Sequence, residues 1–338
     1  MIEIDGTSGG GQLLRTSLSL SLITGQPFRM RNIRGKRSKP GLMRQHLTCV
    51  LAAQQISGAQ AEGAEIGSRE LLFTPGPIRA GDYSFAIGTG GSTTLVLQTL
   101  LPALLHATEA TRLTITGGTH NPLAPPFEFI RDCYLPALHS MGVRATVSLE
   151  RPGFAQSGGG ILKAEIQPLK KWKALKLTER GVATGQQGEI LHAHLPLNIA
   201  ERELKAAMKS LGWAAEAFTI RDAPESEGPG NILMLRASFE QVVEITSAVA
   251  QMGRSAESLG HSAAKSLLRY LATEAPVGVH LADQLLLPLA LAGQGCFTTF
   301  ALSEHFHSNL ALIPQFSQTK FQVEAGAQGC QTVSVVEK

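Results

Sequence analysis

The densest group of chemically active side chains lies in the sequence SEHFHSNLALIPQF at residues 303–316. His305 and His307 stand beside a hydroxyl, Ser308, and an amide, Asn309, between a strand-like stretch and an apolar one. A neutral imidazole is a competent nucleophile, and the backbone N–H groups at the start of a helix can hold a phosphate. Solvated loop histidines or a helix cap would have the same composition, so this segment alone predicts no reaction.

A basic window near the N-terminus is the second unusual feature. No acidic residue occurs between Asp5 and Glu62, although the whole chain is nearly balanced, with 30 Lys+Arg against 27 Asp+Glu. The basic side chains in this window are Arg15, Arg29, Arg31, Arg34, Lys36, Arg37, Lys39 and Arg44. Such a block would suit a polyanion. The alternative is an ordinary solvated surface.

A weak internal repeat predicts the elements that position these groups. Three Leu-rich helices, each with a glutamine and each leading into a strand, are predicted at residues 12–23, 93–106 and 281–292. A second helix is predicted after each strand, at residues 42–56, 126–141 and 309–316. Recurring units of this kind predict one stacked architecture of strands and paired helices. The repeat is interrupted at residues 180–275, which we interpret as a small inserted domain with its own helices and strand.

Glycine clusters at residues 9–11, 88–91 and 158–160 stand at the starts of helices and strands. Glycine permits positive φ and the close approach of a backbone to a ligand, but tight turns explain most glycine runs. None of the clusters has the spacing of a phosphate-binding P-loop or of a dinucleotide-binding turn. Any nucleotide would therefore be bound by another arrangement.

Composition is that of an ordinary globular protein of 338 residues, long enough for more than one domain. The first residues lack a signal-peptide pattern, and no apolar run is long enough to cross a bilayer, so we expect a cytoplasmic protein with no membrane partner. The four cysteines are far apart and form no CxxC pair, which predicts four reduced thiols.

Several patches together carry a resemblance to a known family. They are GGGQLLR, RGKRSKPGLMRQHL, LVLQTLLPAL, GGTHNPLAPP, GFAQSGGG, EGPGN, HLADQLLLPLALAG and HFHSN, in this order along nearly the whole chain. Their order and variety resemble the RNA 3′-terminal phosphate cyclases. The resemblance implies an α+β fold, with a large domain of three units, each a four-stranded sheet plus two helices, and a smaller inserted α/β domain. In this sequence the large domain would comprise residues 1–179 and 276–338, and the inserted domain residues 180–275.

The resemblance also implies site residues. The family nucleophile is the histidine of a pattern with Thr or Ser three residues later and then Asn, which fits His305 and leaves His307 a bystander. Contacts to ATP are implied for Gln98, Pro125, His280, Leu281, Ala282, Asp283 and Gln284, with the adenine between Pro125 and His280. Contacts to RNA phosphates are implied for Arg15, Arg34, Arg37, Gln45 and His46, all of them in the basic window.

Two of these side chains have a structural alternative. Asp283 could bind a metal ion or the ribose, or it could cap the helix that follows. Gln98 stands in an otherwise apolar helix, where an amide costs free energy unless it is bonded, and this favours a role in binding a ligand.

The activity implied is ATP-dependent conversion of an RNA 3′-phosphate to a 2′,3′-cyclic phosphodiester. The route would pass through a histidine-linked AMP and an RNA-(3′)pp(5′)A intermediate, with ATP and a divalent metal, Mg²⁺ or Mn²⁺, as cofactors. This chain departs from the family pattern GEGGGQ, because Thr7 and Ser8 precede the glycines and no acid stands there. The metal ligands are therefore unknown. His280 also replaces an aromatic residue, but an imidazole can still stack on adenine.

Three other readings stay open on the sequence. One is a non-catalytic cyclase-like RNA-binding scaffold, although such proteins lack the nucleophilic histidine. The others are an unrelated RNA-binding module and a carboxyvinyl or shikimate-type transferase of similar repeated units. The sequence does not reveal the physiological RNA, the activity on DNA ends, the metal preference or whether the chain forms a homodimer.

Overall fold

The computed structural model describes residues 1–155 and 157–336 and has a mixed α+β architecture. Within these residues the strands form four separate four-stranded sheets. The predicted α+β class is confirmed. No helix in the described part of the chain is long and apolar enough to cross a membrane.

The first sheet carries the basic window. Its elements are β1 (Ile2–Asp5), α1 (Gly10–Thr24), β2 (Phe28–Arg31), α2 (Arg44–Ser57), β3 (Gln60–Glu62) and β4 (Leu71–Thr74). The strand order is β1-β2-β4-β3, with β1 and β2 parallel and the other pairs antiparallel. Gly25 ends α1 in the left-handed conformation, with φ of 70°, which a residue without a Cβ adopts at little cost.

The second sheet follows along the chain. Its elements are β5 (Asp82–Ala86), α3 (Thr93–Leu104), β6 (Thr111–Gly117), α4 (Phe127–Phe129), α5 (Leu135–Ser140), β7 (Ala145–Arg151) and β8 (Gly160–Ile166). A π-helical turn at Ile130–Tyr134 joins α4 to α5, so the single helix predicted at residues 126–141 is one helical stretch with a wide turn inside it. The strand order is β5-β6-β8-β7.

The third sheet is assembled from two distant parts of the chain. It contains β9 (Leu175–Leu177) and, more than a hundred residues later, α8 (Val279–Ala292), β14 (Gly295–Thr299), α9 (Glu304–Phe316), β15 (Lys320–Ala325) and β16 (Gln331–Val336). The strand order is β15-β16-β14-β9, and β9 pairs with β14 in parallel.

The fourth sheet is formed by the residues between these two parts. Its elements are β10 (Ala183–Ala193), α6 (Leu197–Leu211), β11 (Phe218–Asp222), β12 (Gly230–Phe239), β13 (Val243–Val249) and α7 (Ala256–Leu271), with strand order β11-β10-β12-β13. Each of the four sheets has one parallel pair at an edge and two antiparallel pairs, but the chain order of the strands differs. Counted from the parallel edge, the order is first, second, fourth, third in the other three sheets and second, first, third, fourth in this one. The three repeated units and the inserted domain at residues 180–275 stay a proposal, which these sheet orders support.

Two hydrophobic clusters fill the interior. The larger cluster joins α1, α2, α3, α8 and α9 to residues of all four sheets. The smaller cluster joins α6 and α7 to the other face of the fourth sheet through residues such as Ile190, Leu233 and Leu267. α1 packs against both α3 and α9, and α8 packs against α9. The five helices that carry predicted site residues are thus held by one apolar core.

Candidate active site

The start of α9 determines where His305 lies. Ser303 caps the helix, because its Oγ accepts the backbone N–H of Phe306 at 3.0 Å, and the same hydroxyl donates to Asp283 Oδ1 at 2.6 Å. His305 therefore sits in the first turn of the helix. The prediction that this helix begins at residue 309 is wrong, because a polar cap and polar first turn do not show in an apolar pattern.

Two side-chain contacts hold this first turn against α1. Thr16 Oγ1 donates to Asn309 Oδ1 at 3.0 Å, and Asn309 Nδ2 donates in turn to the carbonyl of Asp283 at 3.2 Å. Gln12 Nε2 donates to the carbonyl of His305 at 3.4 Å. Asn309 thus ties α1, α8 and α9 together beside His305, whereas His307 points away and is exposed.

His305 lies in a positive environment that favours a neutral imidazole. Burial lowers its pKa, and the nearby charges of Arg15 and Arg37 lower it further. Its Nδ1 is buried and has no hydrogen-bond partner among the described residues. A neutral ring keeps a free lone pair at pH 7, which is the form in which histidine acts as a nucleophile.

The glycines at the start of α1 allow three basic side chains to approach the backbone. A Cβ at Gly10, whose φ is 59°, would lie 2.9 Å from Arg37 Nη2. A Cβ at Gly11 would overlap His46 Nε2 and would lie 3.1 Å from Arg15 Nη1. The cluster therefore serves close packing of Arg15, Arg37 and His46 around a helix start, which is a suitable place for a phosphate.

His46 is neutral in this arrangement. Burial lowers its pKa to about 3, and the charges of Arg15 and Arg34 add to the effect. Its Nδ1 accepts the backbone N–H of Met43 at 3.2 Å, which leaves Nε2 as the protonated nitrogen that faces Gly11.

Two of the predicted RNA-binding side chains form hydrogen bonds to backbone groups of this chain. Arg34 Nη1 donates to the carbonyls of Lys39 at 2.7 Å and Gly41 at 2.9 Å. Gln45 Oε1 accepts the backbone N–H of Ser92 at 2.7 Å. Both side chains organise the loops around the basic window.

A cavity of about 680 Å³ opens beside His305. Seven of the predicted residues line it, namely Arg15, Gln98, Pro125, His280, Asp283, Gln284 and His305. Leu281 and Ala282 do not line it, because both side chains are fully buried in the apolar core behind α8. Residues from the segment that forms the fourth sheet also line the cavity, including Glu244 on β13, Arg269 on α7 and Arg254 between these two elements.

The structure changes the interpretation of Gln98 and Asp283. The side-chain amide of Gln98 donates to Gln284 Oε1, so the chain itself satisfies this amide and burial no longer favours a ligand. Asp283 does not cap its helix, because α8 begins at Val279, four residues earlier, with Gly278 as its N-cap. Burial raises the pKa of Asp283 to about 6, against the opposing effect of its bond from Ser303.

A comparison with protein families matches residues 6–323 to the family described as RNA 3′-terminal phosphate cyclase. The chain belongs to this family. Curated relatives of the same name include one from Ectopseudomonas mendocina, 51% identical over 93% of this chain and 92% of that protein. Another, from Pseudomonas fluorescens, is 50% identical over 95% of this chain and 94% of that protein. A third, from Koribacter versatilis, is 49% identical over 96% and 92%.

Membership in the RNA 3′-terminal phosphate cyclase family makes the chain an enzyme. Among solved structures, an EPSP synthase from Acinetobacter baumannii covers 62% of this chain at 13% identity with a TM-score of 0.26, which is too low to support the transferase alternative. The unrelated RNA-binding module is excluded by the family match, which spans both the basic window and the His305 segment.

Several side chains that contact the candidate site were not predicted from the sequence. Ser303 could have been proposed as a helix cap, because a serine precedes the polar turn. Thr16 and Gln12 reveal their contacts only when α1 packs against α9. Glu244, Arg254 and Arg269 lie in the segment interpreted as an inserted domain, to which no site residue was assigned.

Proposed function

We propose that this enzyme converts RNA 3′-phosphate ends to 2′,3′-cyclic phosphodiesters with ATP, releasing AMP and pyrophosphate. The observation that supports the proposal best is His305, a neutral imidazole in the first turn of α9, beside Arg15 and Arg37 and on the wall of a cavity large enough for a nucleotide. Family membership supplies the reaction class, and this geometry supplies a nucleophile for it.

In the first step, a ring nitrogen of His305 attacks the α-phosphorus of ATP. The new N–P bond replaces the bond to the bridging oxygen, and pyrophosphate leaves with that electron pair. Negative charge grows on the phosphoryl oxygens as the bond forms, and Arg15 and Arg37 are close enough to His305 to lower its pKa, so they are placed to offset that charge.

In the second step, an oxygen of the RNA 3′-phosphate attacks the same phosphorus and displaces His305, which gives RNA-(3′)pp(5′)A. In the third step, the neighbouring 2′-hydroxyl attacks the RNA phosphorus, loses its proton and expels AMP. Nucleophile and electrophile belong to one ribose, so this last step needs little additional positioning.

We assign the RNA 3′-phosphate to the region between α1 and α2. Arg15, Arg37 and His46 surround the glycine turn there, and Arg34 and Gln45 hold the adjoining loops. The nucleotide would lie in the cavity, with its base between Pro125 and His280, whose side chain is exposed to the cavity. Gln98, Asp283 and Gln284 would line its ribose side, whereas Leu281 and Ala282 would support α8 from the core.

The proposal includes a divalent metal, for which it names no protein ligands. Among the described residues, no group of three or more His, Cys, Asp or Glu side chains could hold an ion. The acid missing beside Ser8 agrees with that finding. Mg²⁺ commonly binds through substrate phosphates and waters with few protein ligands, so we propose that it accompanies ATP. A cytoplasmic location and a homodimer are part of the same proposal.

The test is a cyclisation assay with a short RNA that carries a 3′-phosphate. With ATP and Mg²⁺ or Mn²⁺, the end should become resistant to phosphatase, because a cyclic phosphodiester has no terminal phosphate to remove. His305→Ala should abolish the reaction, and His307→Ala, a matched change at an exposed neighbour, should retain it. A protein that binds the RNA but never produces a resistant end would favour the alternative, a non-catalytic cyclase-like scaffold.

A further inference from the structure

A buried carboxyl group lies on the wall of the nucleotide cavity, and the proposed reaction does not use it. Glu244, on β13, is 3% exposed and lines the same cavity as Pro125 and His280. Its Oε2 is buried without a hydrogen-bond partner in the described part of the chain. An unsatisfied buried polar atom costs free energy, so its presence in a ligand cavity points to a bound partner.

Contacts with α8 place this carboxyl beside the proposed base site. A Cβ on Gly278 would overlap both carboxyl oxygens of Glu244, and the backbone N–H of Gly278 donates to this carboxyl, so the group lies directly against the N-cap of α8 with only its Oε2 unpartnered among the described residues. Gly278 is two residues before His280, the side chain proposed to stack on adenine. Because Glu244, Pro125 and His280 line the same cavity, a purine held between Pro125 and His280 would share that space with Glu244.

Three other polar side chains that line the cavity are bonded within the chain. Gln98 is bonded to Gln284, and Asp283 accepts from Ser303. The hydroxyl of Tyr270, which also lines the cavity, donates to the carbonyl of Pro276 at 3.1 Å. These groups do not compete for Glu244.

Burial raises the pKa of Glu244 to about 8, so the group is protonated at neutral pH. A protonated carboxyl has one donor and one acceptor side by side. The edge of adenine offers the complementary pair, the 6-amino group as donor and N1 as acceptor.

We propose that Glu244 reads the adenine base of the nucleotide, accepting a hydrogen bond from the 6-amino group and donating one to N1. This inference rests on the proposed binding of ATP in the cavity. It adds a specificity-determining residue from the fourth sheet to a proposed site whose other residues belong to the segments that form the first three sheets.

The experiment compares binding of ATP with binding of 1-deaza-ATP, which lacks the N1 acceptor, by titration calorimetry at pH 7. The unaltered protein should bind ATP about tenfold more tightly, the value of one neutral hydrogen bond. Glu244→Gln should keep most of this preference, because an amide offers the same donor and acceptor pair. Glu244→Leu should bind the two nucleotides equally.

The ratio of affinities is measured within each variant, so any loss of stability in Glu244→Leu affects both nucleotides alike. A role limited to supporting α8 would weaken both nucleotides and leave the ratio unchanged. Equal binding of the two nucleotides by the unaltered protein would overturn this inference alone. Failure of the unaltered protein to bind ATP at all would overturn the nucleotide step of the proposed function together with it.

A pH series supplies a second test. The tenfold ratio should fall as pH rises through about 8, because an ionised Glu244 has no proton to donate to N1. Burial raises the pKa of the Cys133 thiol and of the Tyr270 hydroxyl, so both groups stay neutral in this range. Arg236 on the neighbouring strand keeps its charge throughout and is paired with Asp132. Glu244→Gln should show a ratio independent of pH, and a parallel fall in that variant would overturn the inference.

Discussion

Protonation of single buried groups decides what the active-site residues can do. His305 is made neutral by burial and neighbouring arginines, and Asp283, two contacts away through Ser303, has a pKa raised to about 6 by burial. The two groups therefore respond to pH in ways that can be measured separately. Burial and nearby positive charge favour the neutral form of His305, whereas burial makes the ionisation of Asp283 cost free energy.

The raised pKa of Asp283 predicts a pH-dependent stability difference for Asp283→Asn. The folded protein holds this proton more tightly than the unfolded chain, so the group's contribution is present at low pH and is lost as pH rises through about 6. The asparagine variant has no such loss. We expect its free energy of unfolding, relative to the unaltered protein, to rise by about 1–3 kcal/mol between pH 4 and pH 8 in urea titrations. A difference that stays constant across this range would contradict the assigned pKa.

For single residues, the sequence motifs identify candidate site residues but do not show which of these side chains face the cavity. Gln98, Asp283 and His305 could be named from their patches, and all three line one cavity. Leu281 and Ala282 stand in the same contiguous patch but face the core, because neighbouring residues of a helix point in different directions. Which face of α8 meets the cavity depends on packing against α9, which one sequence does not reveal.

At the scale of elements, the cap of α9 links stability to the site. Ser303 accepts a backbone N–H and donates to Asp283, so Ser303→Ala removes a cap and loosens the turn that carries His305. We expect a loss of about 1 kcal/mol in the free energy of unfolding and a clear decrease in cyclisation rate.

Ser255 offers a matched control. It caps α7 through a 3.2 Å bond from the backbone N–H of Ser258, and it makes no contact with His305. Ser255→Ala should cost similar stability and leave the rate unchanged. Equal losses of rate in both variants would show that stability alone, rather than the position of His305, is responsible.

Helices were the most predictable elements. Apolar patterns and bounding glycines indicated α1, α2, α3 and α8 to within a few residues. The apolar pattern does not indicate the start of α9, because the first turn of this helix is polar. It does not indicate the π-helical turn at Ile130–Tyr134 either, because one extra residue in a single turn changes the spacing of apolar residues too little to be noticed. Both deviations lie where tertiary contacts, not local propensity, decide the backbone.

At the scale of the whole molecule, a charged junction holds the fourth sheet against the second. Arg131 Nε donates to Asp132 Oδ1 at 2.7 Å, and Arg236, from β12, also binds Asp132. Nearby, Arg221 of β11 approaches Glu128 at 3.6 Å. The α+β class followed from the sequence, but this junction could not, because its partners are about a hundred residues apart.

From these contacts we predict that Asp132→Asn lowers the free energy of unfolding at neutral pH. Burial alone would raise the pKa of Asp132, but hydrogen bonds from Arg131 and Arg236 outweigh it and lower the pKa. Because the pKa of Asp132 is lower in the folded protein than in the unfolded chain, the ionised group stabilises the fold at pH values above the pKa of the unfolded chain. This stabilisation is lost as pH falls and the group becomes protonated. We expect Asp132→Asn to cost about 2 kcal/mol at pH 7 and much less at pH 3, measured by urea unfolding.

The control for this junction is Asp82→Asn, which breaks the exposed pair with Arg112 at 3.4 Å. An exposed pair of this kind contributes little, so the control should change stability only slightly. A loss as large as that of Asp132→Asn would contradict the importance of the junction.

The proposed function requires that His305 becomes covalently linked to AMP. The most direct measurement is incubation with ATP labelled at the α-phosphate and a divalent metal, followed by a denaturing gel. We expect acid-labile, alkali-stable label on the unaltered protein and on His307→Ala, and none on His305→Ala. Label that persists in His305→Ala, or its absence from an unaltered protein that binds ATP, would overturn the proposed covalent step.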